Sequence, residues 1–303
     1  MKSLEVGVPP FNCTFMGMMR GVADAFGNPI SNPMLYGGSG HAFVIHIHKE
    51  LCPSGPYCWD RSPVFGLLRN IGLVTEDLGF FGGDAPASRR EAVEARLRAE
   101  IDAGRPAGLV NMEFQLITGY DETGFLTSQP WPGHDFPPRH LTFGTWSELG
   151  HEVHVNFFAL APCDPIDTRR AIAESLRFAI GLYDEPGTYA GPHYGMGPEA
   201  YHLWKDALAQ HGISHGNWWN ATVYAECRRR AGEYFLEVAR LTGLAAAEEL
   251  TETYARVSAA LCNASERDAS VESKRHWVEL AEATEQEAIV KVRILLKALD
   301  ATQ

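Results

Sequence analysis

The sequence has no surplus of basic residues. Its 26 lysines and arginines stand against 38 aspartates and glutamates, a formal charge of −12. So acidic a chain has no cationic face from which phosphate counterions would be released, and nucleic acid is not an expected partner. No apolar run approaches the length of a membrane span, so no membrane partner is expected either. The opening "MKSLEVGVPPFNC" carries one lysine and no apolar core segment. It does not read as a signal peptide, and the expected location is cytoplasmic. Cysteines are few. Six thiols in 303 residues, without secretion signals, read as reduced thiols rather than a disulfide framework. Internal repeats and low-complexity tracts are missing too. What remains is an ordinary globular composition, 45% hydrophobic and 21% charged, in a chain long enough for two domains.

The text changes character partway along. Residues 1–165 are rich in glycine, proline and short apolar runs, whereas residues 166–303 read as helices, with the change falling within 162–195. In "NATVYAECRRRAGEYFLEVARLTG" the residues Val223, Cys227, Ala231, Tyr234, Phe235 and Val238 recur at steps of three and four, one apolar helix face. The following charges, "ECRRRAGE", read as a solvated face. "YDEPGTYAGPHYGMGP", Tyr183 to Pro198, carries glycine and proline throughout and reads as a connector.

In the first half, "PPFNCTFMGMMRGVADAFGNP" predicts a helix with Asn12 as N-cap, an apolar face of Phe15, Met19, Val22, Ala23 and Phe26, and a stop at Gly27-Asn28-Pro29. Cys13 then stands at its first turn, where free backbone N–H groups and the helix dipole favour thiolate over thiol. Ser62 caps a second short helix. Ser88-x-x-Glu91 is a capping box for a third, which Gly104 ends. A run of strands follows, with "DETG" as a hairpin turn. Helices first and hairpin-linked strands after is an α+β order.

The stretches "NCTFMGMMRGVADAFG", "YGGSGHAFVIHIHKELCPS", "GRPAGLVNMEFQLITGYDETG", "EAYHLWKDAL" and "WNATVYAECRRRAGEYFLEVA" together resemble the bacterial family of the butirosin biosynthesis protein H N-terminal domain. That family is papain-like and related to the double-glycine bacteriocin-processing cysteine peptidases. The resemblance implies a papain-like domain over residues 1–165 followed by an all-α domain over 166–303. It implies Cys13 as nucleophile and chemistry at a thioester, an amide or a related small-molecule bond. The partner it implies is a small-molecule or acyl-carrier substrate; homo-oligomer formation is compatible with it. In papain-like sites the strand before "GY" opens with histidine, and a later residue orients that ring. Here those positions are Glu113 and Gln129, with Pro130-Trp131 following. A carboxylate of ordinary acidity is a poor base toward a thiol, the two differing by about four powers of ten in acidity. Glu113 therefore needs burial, and Cys13 a lowered pKa, for the pair to work directly.

The glycine-rich loop Gly37-Gly38-Ser39-Gly40 leads into His41, the first candidate for acid/base work. Asn12, Gly40 and Trp131 are the candidate substrate-binding residues. "FVIHIH" predicts a strand with His46 and His48 on one face. With Cys52 and Cys58 they offer a zinc site as an alternative, although H-x-H-x3-C-x5-C is not a standard ligand spacing. No metal and no cofactor is called for, and "CPSGPYC" reads as a local disulfide or a plain loop. His134, His140, His151 and His154 lie in or beside loops and carry less information. Two function classes stand. One is a cysteine-dependent hydrolase or acyltransferase using Cys13, His41, Glu113 and Gln129. The other is a catalytically silent fold that binds a small molecule or a protein.

Overall fold

A computed structural model describes residues 1–131, 133–134, 136–150 and 153–301; His151 lies outside the described residues. In chain order the strands are β1 (Lys2–Ser3), β2 (His46–His48), β3 (Leu73–Gly82), β4 (Ala107–Val110), β5 (Phe114–Tyr120), β6 (Gly124–Ser128), β7 (His140–Thr142), β8 (His154–Pro162) and β9 (Tyr194–Met196). The helices are α1 (Thr14–Ala25), α2 (Asn32–Gly38), α3 (Ser62–Leu67), α4 (Ala87–Asp102), α5 (Thr168–Asp184), α6 (Pro198–His211), α7 (His215–Thr242), α8 (Ala245–Ser265) and α9 (Val271–Ala301). The protein is mixed α+β, with an antiparallel sheet and C-terminal helices.

By compactness the chain divides into Met1–Ile30 with Gly72–Asp164, and Ser31–Ile71 with Pro165–Gln303. One division falls between Asp164 and Pro165, and residues 31–71, which the sequence reading puts in the first half, group with the C-terminal helices. The reason is apolar. Ile45, Ile47 and Leu51 share a core with Trp204, Tyr224 and Val257.

The first unit is a sheet of order β3-β8-β4-β5-β6-β7, with β1 also paired to β5. Every pairing is antiparallel. On one face α4 sends Val93, Leu97 and Ile101, at four-residue steps, into a core with Leu109, Ile117, Phe125 and Phe157. On α1, Phe15 meets Phe114 of β5 edge-on, with centroids 5.0 Å apart. Each fully buried side chain of this size contributes about 1.5–3 kcal/mol. The β5–β6 turn is held by Asp121, whose Oδ1 accepts from the amides of Thr123 and Gly124 and from the Thr123 hydroxyl. These donors hold the Asp121 carboxyl well below the usual carboxylate range.

In the second unit α7, α8 and α9 are the long helices. The residues read as the apolar face of α7, Val223, Cys227, Ala231, Tyr234, Phe235 and Val238, are all buried. β2 and β9 form a small antiparallel sheet, His46 opposite Met196 and His48 opposite Tyr194. The strand read over "FVIHIH" is shorter than expected, because His41–Phe43 is a 3-10 turn entered through Gly40. The connector 183–198 contains a strand, since β9 finds its partner in β2 rather than in its own propensity.

Several caps also differ. Cys13, not Asn12, is the N-cap of α1 and makes no side-chain cap bond. Arg61, not Ser62, is the N-cap of α3 and makes no side-chain cap bond, while the Ser62 amide donates to Asp60 Oδ1. α4 begins before Ser88 with Pro86 at its N-cap, so the capping box is not used.

Candidate functional site

In the first unit the candidate residues gather where α1 begins beside the head of β5. Cys13 is 3% exposed and its carbonyl accepts the amide of Gly17 at 3.0 Å, the first bond of the helix. Thr14, the next residue, donates its hydroxyl to Glu113 Oε2 at 2.7 Å. The same hydroxyl oxygen accepts the amide of Phe114 at 3.2 Å. Glu113 is thus a buried carboxylate, 8% exposed, immediately before β5, tied to the residue that follows Cys13. A buried carboxylate needs such donors. The sequence reading missed Thr14; a hydroxyl residue directly after the candidate nucleophile was the available signal.

Gln129 follows β6 and is buried. Its amide nitrogen donates to the carbonyl of Pro137 and, at 3.4 Å, to that of His134. Gln129 therefore pins the proline-rich loop, and its Oε1 has no hydrogen-bond partner among the described residues. Trp131 is half-buried, with its carbonyl accepting from the amide of His134 at 3.3 Å. Asn12 is half-buried, one residue before the cap.

His41 belongs to the second unit. It is 2% exposed. Gly40 before it has φ +76°, and a Cβ there would meet the Phe178 ring at 2.5 Å, so both backbone and space demand glycine. Within its own unit the His41 ring lies 5.9 Å from the Trp59 ring, centroid to centroid. Its Nδ1 is 4.0 Å from Cys227 Sγ. The position of Cys227 on the apolar face of α7 concealed that contact, because a cysteine in such a pattern reads as a small apolar residue.

His46 and His48 do not share one environment. His46 is fully buried, its Nδ1 is 2.8 Å from the Gly55 carbonyl, and its ring stacks on Tyr194 at 4.5 Å. A ring nitrogen facing a carbonyl carries the proton, so Nε2, which has no hydrogen-bond partner among the described residues, keeps its lone pair. Burial lowers the His46 pKa to about 4, the Gly55 bond opposing and His48 adding to the shift. His48 is half-buried and accepts the Glu50 amide at Nδ1. Cys52 and Cys58 are free thiols, half-buried and exposed. Among the described residues these four side chains do not bring three ligand atoms within 4.8 Å of one another.

Arg228, read as part of a charged surface, is instead fully buried. Its Nε lies 2.6 Å from Glu285 Oε1 and its Nη1 donates to the carbonyls of Ala42 and Val44 at 2.7 and 2.8 Å. Burial opposes the charge, but the Glu285 carboxylate outweighs it and holds Arg228 protonated. Arg229 and Arg230 do pair at the helix surface, both with Glu233.

No family model matches the chain, and no curated protein matches it. No described helix is long and apolar enough to cross a membrane.

Proposed function

We propose that the protein is a cysteine-dependent hydrolase or acyltransferase of papain-like type, with Cys13 as nucleophile and a small-molecule or carrier-bound acyl group as substrate. The observation that carries this reading is the Thr14–Glu113 bond, which seats a buried carboxylate against the start of the helix that Cys13 caps. Cys13 is the N-cap of α1, at the positive end of the helix dipole, which favours the thiolate. The antiparallel sheet behind α1 and the hairpin after Glu113 support the papain-like assignment.

In the reaction the thiolate adds to the acyl carbon, the amine or thiol leaves with a proton, and a thioester forms on Cys13. Water or an acceptor amine then takes the acyl group and returns the thiol. Glu113 is the proposed charge-orienting group. His41, the acid/base candidate of the sequence, enters the tests as a variant.

A second reading has its own observation. Gln129, at the position of the orienting residue, spends its amide on the Pro137 and His134 carbonyls, which suits a catalytically silent binding module. Incubation with short acyl thioesters, followed by peptide mass spectrometry, separates the two. The enzyme reading expects an acyl adduct on the peptide bearing Cys13 that Cys13→Ala abolishes. No adduct, or one that persists in Cys13→Ala, favours the binding module.

A further inference from the structure

A cleft of about 490 Å³ opens on the first unit where α1 ends. It lies away from Cys13 by the length of a 12-residue helix, about 18 Å. Phe26, Val74, Ala161 and Pro162, none of them buried, give it apolar walls, and Arg96 and Arg105 stand at its rim. One carboxylate aims both guanidinium groups. Arg96 Nε is 2.9 Å from Glu100 Oε1, and Arg105 Nε is 2.6 Å from Glu100 Oε2. Glu100 is 4% exposed, so its two bonds to arginine are well fixed.

Each arginine thus spends its Nε–H on Glu100 and keeps its terminal amino groups for something else. Those of Arg105 have no hydrogen-bond partner among the described residues. Those of Arg96 donate to Glu76, at 3.3 and 2.9 Å, in a pair whose Glu76 side chain is 60% exposed. An exposed pair of this kind contributes little and exchanges readily. A guanidinium is built to hold a carboxylate through two parallel bonds. Two arginines here face two carboxylates, one of them buried and one loosely held. A ligand carboxylate that took the place of Glu76 would leave the charge balance unchanged.

We propose that this cleft binds a small amphipathic carboxylate, its head on Arg96 and Arg105 and its apolar body along Val74, Pro162 and Phe26, with Glu76 as the group it displaces. Apolar walls with a few convergent polar groups are the usual make-up of a small-molecule site. The site is separate from Cys13, and its failure would leave the thiol chemistry untouched.

The test is calorimetric titration of the full chain with octanoate, with inorganic phosphate as a second probe. Octanoate should bind saturably to the wild type. Glu76→Gln, which removes the competing carboxylate at an exposed position, should tighten it about tenfold, and Arg105→Gln should weaken it about tenfold. Thermal unfolding of each variant confirms that the fold is kept. Absence of saturable binding to both the wild type and the well-folded Glu76→Gln variant overturns the proposal. So does an Arg105→Gln variant that binds like the wild type. Phosphate binding as tightly as octanoate overturns the amphipathic assignment, because the apolar walls would then contribute nothing.

Discussion

The Thr14 hydroxyl sits between two groups of one segment, 2.7 Å from the Glu113 carboxylate and 3.2 Å from the Phe114 amide. It fastens the start of α1 to the head of β5. Thr14→Val keeps the shape and removes the oxygen, so Glu113 loses a donor and the Phe114 N–H loses its acceptor in a buried place. The expected cost is about 2–3 kcal/mol in a denaturant titration, with Thr14→Ser close to wild type. Equal stability of Thr14→Val and wild type would show that the fastening is dispensable.

Tyr224 plays the same part in the second unit. Its hydroxyl donates to the His46 carbonyl at 2.7 Å and accepts the His46 amide at 3.1 Å. Tyr224→Phe strands both buried backbone groups. A loss of about 2 kcal/mol or more in unfolding free energy is expected, and a shift within error of zero would contradict it.

His46 gives the protein a pH dependence. Its pKa is lowered from 6.5 to about 4 by burial in the folded state. Between those values the unfolded chain takes up a proton that the folded one refuses. Stability is therefore complete above pH 6.5 and falls as the pH drops toward 4, by about 3 kcal/mol in all. The half-buried His48, whose pKa is also lowered by burial, acts in the same direction. Denaturant midpoints from pH 7 to pH 4.5 should fall more steeply for wild type than for His46→Gln. Parallel curves for the two proteins would rule His46 out as the source.

The Arg228–Glu285 pair is fully buried. Glu285→Gln leaves the guanidinium charge without its counter-charge and is expected to cost about 3–5 kcal/mol. Replacing both, as Arg228→Met with Glu285→Leu, should recover much of that loss. A double variant no more stable than Glu285→Gln would mean that the bonds from Arg228 to the Ala42 and Val44 carbonyls matter more than the charge pairing.

What could be read in the sequence was what repeats or punctuates locally. The face of α7 followed from apolar steps of three and four, and the β5–β6 hairpin from Asp121 and Gly124 flanked by strand text. Cys13 at a helix start followed from the stop at Gly27 and the apolar run before it. Positions set by distant partners were out of reach. Arg228 falls between Tyr224 and Cys227 on one side and Ala231 on the other, yet nothing near it announces Glu285. β9 carries Gly195 beside Pro192 and Gly197, and only its pairing with β2 makes it a strand. The caps of α1, α3 and α4 each moved by a residue or two, because the chain closed its first turns with backbone geometry rather than with the side chains that read as caps. At the candidate site the sequence marked Cys13 and Glu113, but the hydroxyl that joins their neighbourhoods belongs to a residue whose type is common at any helix start.

Alkylation of the six thiols by iodoacetamide at neutral pH tests the assignment of Cys13 as nucleophile most directly. Accessibility alone ranks Cys58 and Cys262 first, because both are exposed, and Cys13 and Cys227 last, because both are buried. An activated thiolate reverses that order. Cys13 should be labelled faster than the other five, as read by peptide mass spectrometry, and the His41→Ala arm tests the acid/base assignment by whether that rate falls. Labelling that follows exposure, with Cys58 and Cys262 leading and Cys13 among the slowest, would contradict the enzyme reading.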